Sequence, residues 1–227
     1  MEYLEGKILL IDKPLEWTSF DVVNKMRYTL KRTFNLKKIK VGHAGTLDPL
    51  ATGLMIVCTG KETKNIEKYQ GLDKEYIANV RLGGITPSYD LETEISQAFP
   101  WDHINEEMIR ETLKSFTGNI VQVPPVYSAK KIDGQRAYIK ARKNQEVKMK
   151  EINITIHELE LISMDLPDFV IRVNCSKGTY IRSLAKDIGD ALDSGAHLAG
   201  LQRTRVGEFL LKDAISIQDF EKSLDKA

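Results

Sequence analysis

Two runs of this chain alternate apolar and polar residues: "INITIHELEL" (152–161) and "FVIRVNC" (169–175), the second with Phe169, Ile171, Val173 and Cys175 on one side. A period of two belongs to a half-buried strand. After "SKGT" the period changes, and Ile181, Leu184, Ala185, Ile188, Ala191 and Leu192 fall in helical register. The same irregular mixture runs through the rest of the chain. "GKILLIDKP" is a short apolar run ended by Pro14, which suits a strand leading into a turn. In "TSFDVVNKMRYTLKR", Thr18 and Asp21 have capping-box spacing, and Val22, Val23, Met26 and Leu30 share one helical face. "LMIVC" after Gly53 predicts a buried strand, and "KEYIANVRLGG" a strand with Tyr76, Ala78, Val80 and Leu82 on one face. Asn105–Phe116 predicts a helix with Ile109, Leu113 and Phe116 inward and Gly118 just past its end. "SIQDFEKSL" suits a capped helix near the end. This order lacks the regular alternation of a doubly wound parallel sheet. The expected fold is α+β, with a mixed, mostly antiparallel central sheet flanked by helices.

At 227 residues and 42% hydrophobic, the chain is long enough to bury a core as one domain, 1–227, with a small insertion. No basic stretch followed by an apolar one stands near Met1, and no segment approaches a membrane span of about 18 apolar residues. A cytoplasmic protein is expected, with no membrane association. Cys58 and Cys175 lie in apolar runs far apart, which favours buried free thiols over a disulfide. The net charge is only +1, but it is segregated. Residues 130–150 carry Lys130, Lys131, Arg136, Lys140, Arg142, Lys143, Lys148 and Lys150 against Asp133 and Glu146. Residues 31–40 add Lys31, Arg32, Lys37, Lys38 and Lys40 with no acid, whereas residues 90–111 hold seven acids and one Arg. A solvated face is the plain reading of one such run; two of them in a near-neutral chain point toward a polyanion. The segment around 124–150, with Gly134 and few large aliphatics, is expected to be an exposed loop or insertion.

Between the first helix and the buried strand stands "KVGHAGTLDPLATGLMIVCTGKETK" (40–64). A P-loop does not fit it: Gly53 and Gly60 have the wrong separation, and Lys61 is followed by Glu62. No metal is expected, because His103, His157 and His197 are scattered without ligand spacing and no CxxC or HExxH occurs. Pro49 biases Asp48 toward extended backbone. In such a loop an Asp is either a turn former bonding its own backbone or a nucleophile or general base. The second role calls for a partner that keeps it ionised, most simply an Arg. Arg182, beside Tyr180 in "GTYIRSL", stands at an expected strand-to-helix junction and is one such candidate.

"GHAGTLDPLATG" resembles the signature loop of the TruB family of tRNA pseudouridine synthases. The resemblance continues in order through "IDKP" and "TS" at 11–19, "GKETK" at 60–64, "KEY" at 74–76, "PPVYSAKKIDGQRAY" at 124–138 and "CSKGTYIRSLA" at 175–185. It implies isomerisation of uridine 55 in the TΨC arm of tRNA, without a cofactor, on the α+β fold expected above. It implies that Asp48 is the catalytic aspartate, with a covalent sugar adduct and a glycal route both open. Tyr76 matches the tyrosine that stacks on the flipped base, Tyr180 a pocket tyrosine, and Arg182 the arginine paired with the catalytic carboxylate. His43 matches a histidine that helps take the base out of its stack. Lys61 and Lys64 are candidate phosphate or pocket contacts, and the segment 124–150 acts as a thumb on RNA through Lys130, Lys131, Arg136 and Arg142. No protein partner is called for, and a monomer is expected.

The chain departs from the family pattern in places. Glu16 stands where relatives usually have Gly, Ala44 where many have Thr, and Thr93 where "TPSYDLETE" would carry a Gly. Many relatives continue into a C-terminal RNA-binding domain. Here little or none is expected after the catalytic domain, and fewer contacts to distant parts of tRNA. A catalytically silent tRNA binder or folding chaperone is the alternative reading of the same surface.

Overall fold

The structure is a computed structural model and describes residues 2–128, 130–132, 134–141 and 147–224. The chain forms two compact units, one of residues 1–76 with 201–227 and the other of residues 77–200. No described helix is long and apolar enough to cross a membrane.

The first unit begins with α1 (Glu2–Glu5), β1 (Ile8–Lys13) and α2 (Ser19–Thr33). Thr18 caps α2 as its spacing predicts: its hydroxyl accepts from Asp21 N at 3.0 Å, and Asp21 accepts from Thr18 N at 2.9 Å. Val22, Val23, Met26 and Leu30 are buried on one face of the helix. β2 (Val41–His43) and β1 both pair antiparallel with β3 (Ala51–Thr59). α3 (Ile66–Gln70) follows a short 3-10 turn at Gly60–Asn65. β3 is buried on both faces, which is why its sequence is continuously apolar rather than alternating. Met55 and Val57 join the core beneath α2, while Leu54, Ile56 and Cys58 join a second cluster with Ala44, Tyr69 and Val206. β4 (Lys74–Leu82) leads into the second unit, with Tyr76, Ala78, Val80 and Leu82 buried as expected.

The second unit contains a small pairing of β5 (Gly84–Ile85) with β6 (Gln97–Ala98), then α4 (Glu106–Ser115) capped by Asn105, and β7 (Gly118–Gln122). Ile109 and Leu113 are buried; Phe116 is half-buried at the C-cap. Within the basic segment, expected as an exposed loop or insertion, β8 (Lys131–Ile132) pairs with β9 (Gln135–Arg136), and α5 (Ala137–Ala141) follows. Gly134, at φ +80°, supplies the left-handed turn between the two strands. β10 (Ile152–Asp165) and β11 (Asp168–Cys175) are the two alternating runs, paired antiparallel, and β7 pairs antiparallel with the other edge of β10. α6 (Ile181–Ala191) buries Ile181, Leu184, Ala185 and Ile188, but Ala191, expected inward, is exposed in its last turn.

β12 (Ala196–Val206) returns the chain to the first unit, where it runs parallel to β3 through Leu201↔Ala51, Gln202↔Thr52 and Arg203↔Gly53. It then pairs antiparallel with β13 (Phe209–Leu210), and α7 (Ile217–Leu224) closes the unit. The Ser216 hydroxyl accepts from Asp219 N at 3.0 Å, the cap expected for that helix. Mostly antiparallel pairing, with β12 parallel to β3 and helices alongside, is the mixed α+β arrangement that the periodicities predict. Both cysteines are buried, and neither is in a disulfide.

Candidate active site

Asp48 lies in the connection from β2 to β3, half-buried. Since those strands pair from His43↔Val57 outward, the loop must reverse within seven residues, and Gly45 makes this possible at φ +97°. Three anchors then fix the main chain on either side of the carboxylate. The buried hydroxyl of Ser19 accepts from Leu47 N at 2.8 Å and donates to Leu47 O at 3.1 Å. Ala51 N donates to Asp48 O at 3.0 Å. Pro49 O accepts from Glu16 N at 2.9 Å and from Lys13 Nζ at 3.4 Å. Glu16 achieves this at φ +66°, a left-handed conformation, which gives the physical reason why glycine suits that position in the family pattern.

Two buried cations stand in this frame. Lys13 is fully buried, and its ammonium donates to Trp17 O at 2.5 Å and Pro14 O at 2.8 Å. Burial pushes Lys13 down to about 8, while the negative charge of Asp48 opposes that shift and Arg203 adds to it. Arg203 on β12 is also buried, its guanidinium donating to Leu54 O at 2.7 Å and Gly45 O at 3.2 Å. It thus ties the first residues of the Asp48 loop to the parallel strand. Gly53 permits that approach: a Cβ there would meet Arg203 O at 2.4 Å. His43 is held below its usual value by burial first and by the charge of Arg203 second, so the neutral imidazole is favoured. Its buried Nδ1 has no hydrogen-bond partner among the described residues. The first unit therefore gathers Asp48, His43, Lys13 and Arg203 into one electrostatic neighbourhood. The roles of Ser19, Lys13 and Arg203 were not derivable from the spacing arguments, although Lys13 continues the inward register of Leu9 and Ile11, a visible anomaly.

In the second unit, Tyr180 is the N-cap residue of α6, at the strand-to-helix junction expected for it. Gln122 brackets its peptide, accepting from Tyr180 N at 2.8 Å and donating to Tyr180 O at 3.0 Å. Arg182, 5% exposed, donates to Ser88 O at 3.1 Å and has Asp90 Oδ2 at 3.6 Å. Asp90 in turn accepts from Glu92 N at 2.9 Å, so the guanidinium and its neighbouring carboxylate are both oriented. Thr93, which departs from the family pattern, closes the same loop: its hydroxyl accepts from Ser88 N at 3.1 Å. Asp90 is a second functional candidate that sequence reasoning did not single out.

The other expected residues are placed as follows. Tyr76 is buried on β4. Lys61 is exposed and ion-paired with Glu5 at 2.6 Å, and Lys64 is exposed in the same 3-10 turn. Lys130 is half-buried, and its carbonyl accepts from Ala137 N at 2.8 Å. Lys131 and Arg136 stand opposite one another in the β8–β9 pairing, with their side chains outside the described set. Arg142 lies outside the described residues.

The sequence profile of the "TruB family pseudouridylate synthase (N terminal domain)" matches residues 31–181, and that of the "tRNA pseudouridylate synthase B C-terminal domain" matches 182–227. The chain belongs to the TruB family. Relatives of this family include the tRNA pseudouridine synthase B of Phocaeicola vulgatus, 58% identical over 100% of this chain and 96% of its own. That of Parabacteroides distasonis is 57% identical with the same coverage. Among solved structures, a Cbf5-Nop10-Gar1 complex contains a chain similar to this one with TM-score 0.71 and 30% identity, over 97% of this chain. An archaeal box H/ACA sRNP Nop10-Cbf5 complex gives TM-score 0.69 and 29% identity. This chain spans about half of those chains, 54% in each case. It is thus a pseudouridine synthase by family, the isomerase class that the signature loop implied.

Proposed function

We propose that the protein converts uridine 55 in the TΨC arm of tRNA to pseudouridine, with Asp48 as the catalytic carboxylate. The observation that carries this reading is the frame around Asp48: its neighbours Leu47 and Pro49 and its own carbonyl are all hydrogen-bonded to fixed groups. A carboxylate so positioned is already oriented for a reacting sugar or base, and positioning supplies much of the rate of a reaction that needs no cofactor. In the isomerisation the N1–C1′ bond breaks, the uracil turns and C5–C1′ forms. C5 gives up a proton and N1 gains one, so nothing is oxidised and no group is carried in. The charge of Asp48 acts on the buried ammonium of Lys13, so a cation stands within electrostatic reach of the carboxylate. The family resemblance assigns Arg182 as counter-charge to the catalytic carboxylate, and within the second unit Ser88 and Asp90 orient its head.

The target nucleotide must leave its stack, at a cost of a few kcal/mol that an aromatic face offsets; Tyr76 is assigned that face. His43, kept neutral by burial and Arg203, serves the extrusion without adding charge beside the carboxylate. The relatives' name, tRNA pseudouridine synthase B, supports tRNA as the substrate. The test is to incubate the protein with an unmodified tRNA transcript and map pseudouridine at single-nucleotide resolution. The parent is expected to modify position 55 alone, and Asp48→Asn to bind the transcript while losing turnover. A modified base elsewhere, or turnover by Asp48→Asn within about tenfold of the parent, overturns the assignment. Binding without turnover by the parent would make it a silent binder.

A further inference from the structure

The basic run at 31–40 has no part in the frame around Asp48, and it continues a helix face with unusual composition. Along the outer side of α2 stand Phe20, Asn24, Arg27, Tyr28 and Lys31, spaced for one stripe of a helix. Phe20 is 64% exposed and Tyr28 61% exposed. Two large rings left in water on one face need an explanation that a single surface residue does not. Arg32 lies over the Tyr28 ring, 5.9 Å from its centroid. Lys31, Lys37, Lys38 and Lys40 are all exposed, and none forms an ion pair among the described residues. The only carboxylate of α2, Asp21, is committed to the N-cap. Arg32 is attracted to Glu221 of α7, but the four lysines have no ion pair among the described residues, and beside two open aromatic rings they are complementary to a polyanion that also offers flat bases.

The helix is joined to the site at two points. Its first turn carries Ser19, whose hydroxyl holds Leu47 beside Asp48. Arg27, in the middle, donates to Val41 O at 3.0 Å and so ties the helix to the strand that ends in His43. From Phe20 to Lys31 the helix rises about 16 Å, a span that several nucleotides would cover.

We propose that the outer face of α2 and the basic loop after it form an RNA-docking ridge that holds a stretch of the substrate tRNA outside the target nucleotide. The proposal rests on the reading of the protein as a tRNA-modifying enzyme. Phe20 and Tyr28 stack on exposed bases or riboses, and Lys31, Lys37 and Lys38 contact phosphates. The ridge therefore adds affinity and leaves the chemical step alone.

The experiment measures binding of an unmodified full-length tRNA transcript over a range of salt, together with single-turnover rates at saturating protein. It compares the parent with Lys31→Ala/Lys37→Ala/Lys38→Ala and with Phe20→Ala/Tyr28→Ala. All five side chains are exposed, and thermal unfolding verifies that each variant folds like the parent. The lysine variant is expected to lower the slope of log affinity against log salt by about 2 to 3, because each lost phosphate contact removes about 0.7 to 0.9. The aromatic variant is expected to weaken binding about tenfold or more at an unchanged slope. Both should keep the saturating rate. Parental slope and affinity in both variants overturn the ridge while leaving the enzyme assignment intact. A parent that neither binds nor modifies tRNA removes both readings at once. Self-association that the aromatic variant abolishes, with tRNA binding intact, gives the face to a second copy and overturns the proposal.

Discussion

Ser19→Ala tests whether the Asp48 frame is a working part of the protein. The hydroxyl lost in this variant satisfies two main-chain groups of Leu47, accepting from its N–H at 2.8 Å and donating to its carbonyl at 3.1 Å. Leu47 and Ser19 are both buried, so water cannot readily take its place. An orphaned buried N–H costs about 1–3 kcal/mol, and the carbonyl, with a second lone pair, costs less. The expected destabilisation is therefore about 2 kcal/mol, read as a lower urea midpoint at unchanged m-value. Relief of the unpaired N–H requires Leu47 to shift, and Asp48 moves with it. A displacement near 1 Å is worth up to about 100-fold in rate, so single-turnover rates at saturating tRNA should fall about 10- to 100-fold. Ser216→Ala is the control. It removes the cap of α7, where the Ser216 hydroxyl accepts from Asp219 N, and should cost about 1 kcal/mol without touching turnover. If Ser19→Ala stays within about 0.5 kcal/mol of the parent and turns over within about threefold, the loop does not depend on this anchor and the argument fails.

Three further outcomes follow from named features of the site. Lys13 lowered from 10.5 to about 8 means that the unfolded chain binds more protons across that interval, so its contribution to stability rises with pH there, by at most about 3 kcal/mol, and is lost as pH falls through 8. The stability of the parent minus that of Lys13→Met, from urea titrations at stepped pH, should climb across this window; a flat difference refutes the buried-ammonium account. Glu16→Gly relieves a left-handed residue worth about 1–2 kcal/mol but gains unfolded-state entropy worth about 0.4–1, so it should be neutral to about 1 kcal/mol stabilising. Glu16→Val should be destabilised instead, and equal midpoints for the two variants would show that this φ carries no strain. For Tyr76, Phe should keep tRNA affinity and lose turnover if the hydroxyl moves a proton, while Leu should lose roughly 1–3 kcal/mol of stacking as well. Parental turnover by both variants would return Tyr76 to an ordinary strand position.

Much of the fold was legible because its signals are local and repeat. β11 alternates along its whole length, and α2 shows both its cap and its buried face. β3 was read as a buried strand from a continuous apolar run, and its two buried faces account for that pattern. Among the strands that escaped, β12 is the longest, and its sequence explains why. "AHLAGLQRTRV" neither alternates nor stays apolar; its buried run Ala196–Leu198 includes His197, and its pairing with β3 is a parallel contact that no local pattern announces. Ala191 misled for a related reason: it keeps helical register to the end of α6, yet its last turn runs beyond the surface that covers the others.

The site divides along the same line. Asp48, His43, Tyr180 and Arg182 were named through the family resemblance, and the cap of Thr18 with Asp21 through physics alone, because each side chain accepts from the other's main-chain N–H at a fixed spacing. Lys13 and Arg203 were missed, since charged side chains are expected at the surface unless a counter-charge is in view. Here most of their compensation comes from main-chain oxygens: Pro14, Trp17 and Pro49 for the lysine, Leu54 and Gly45 for the arginine. Every residue has a carbonyl, so such partners leave no mark in the sequence, and only the fold decides which oxygens converge. That convergence has a consequence for the loop. Three of those oxygens, Gly45, Pro49 and Leu54, belong to the chain on either side of Asp48, so the two charges that are hardest to bury also fasten the carboxylate's support. Loss of either cation therefore strips the loop of anchoring and of local positive charge together, which a change at an exposed lysine such as Lys61 cannot do.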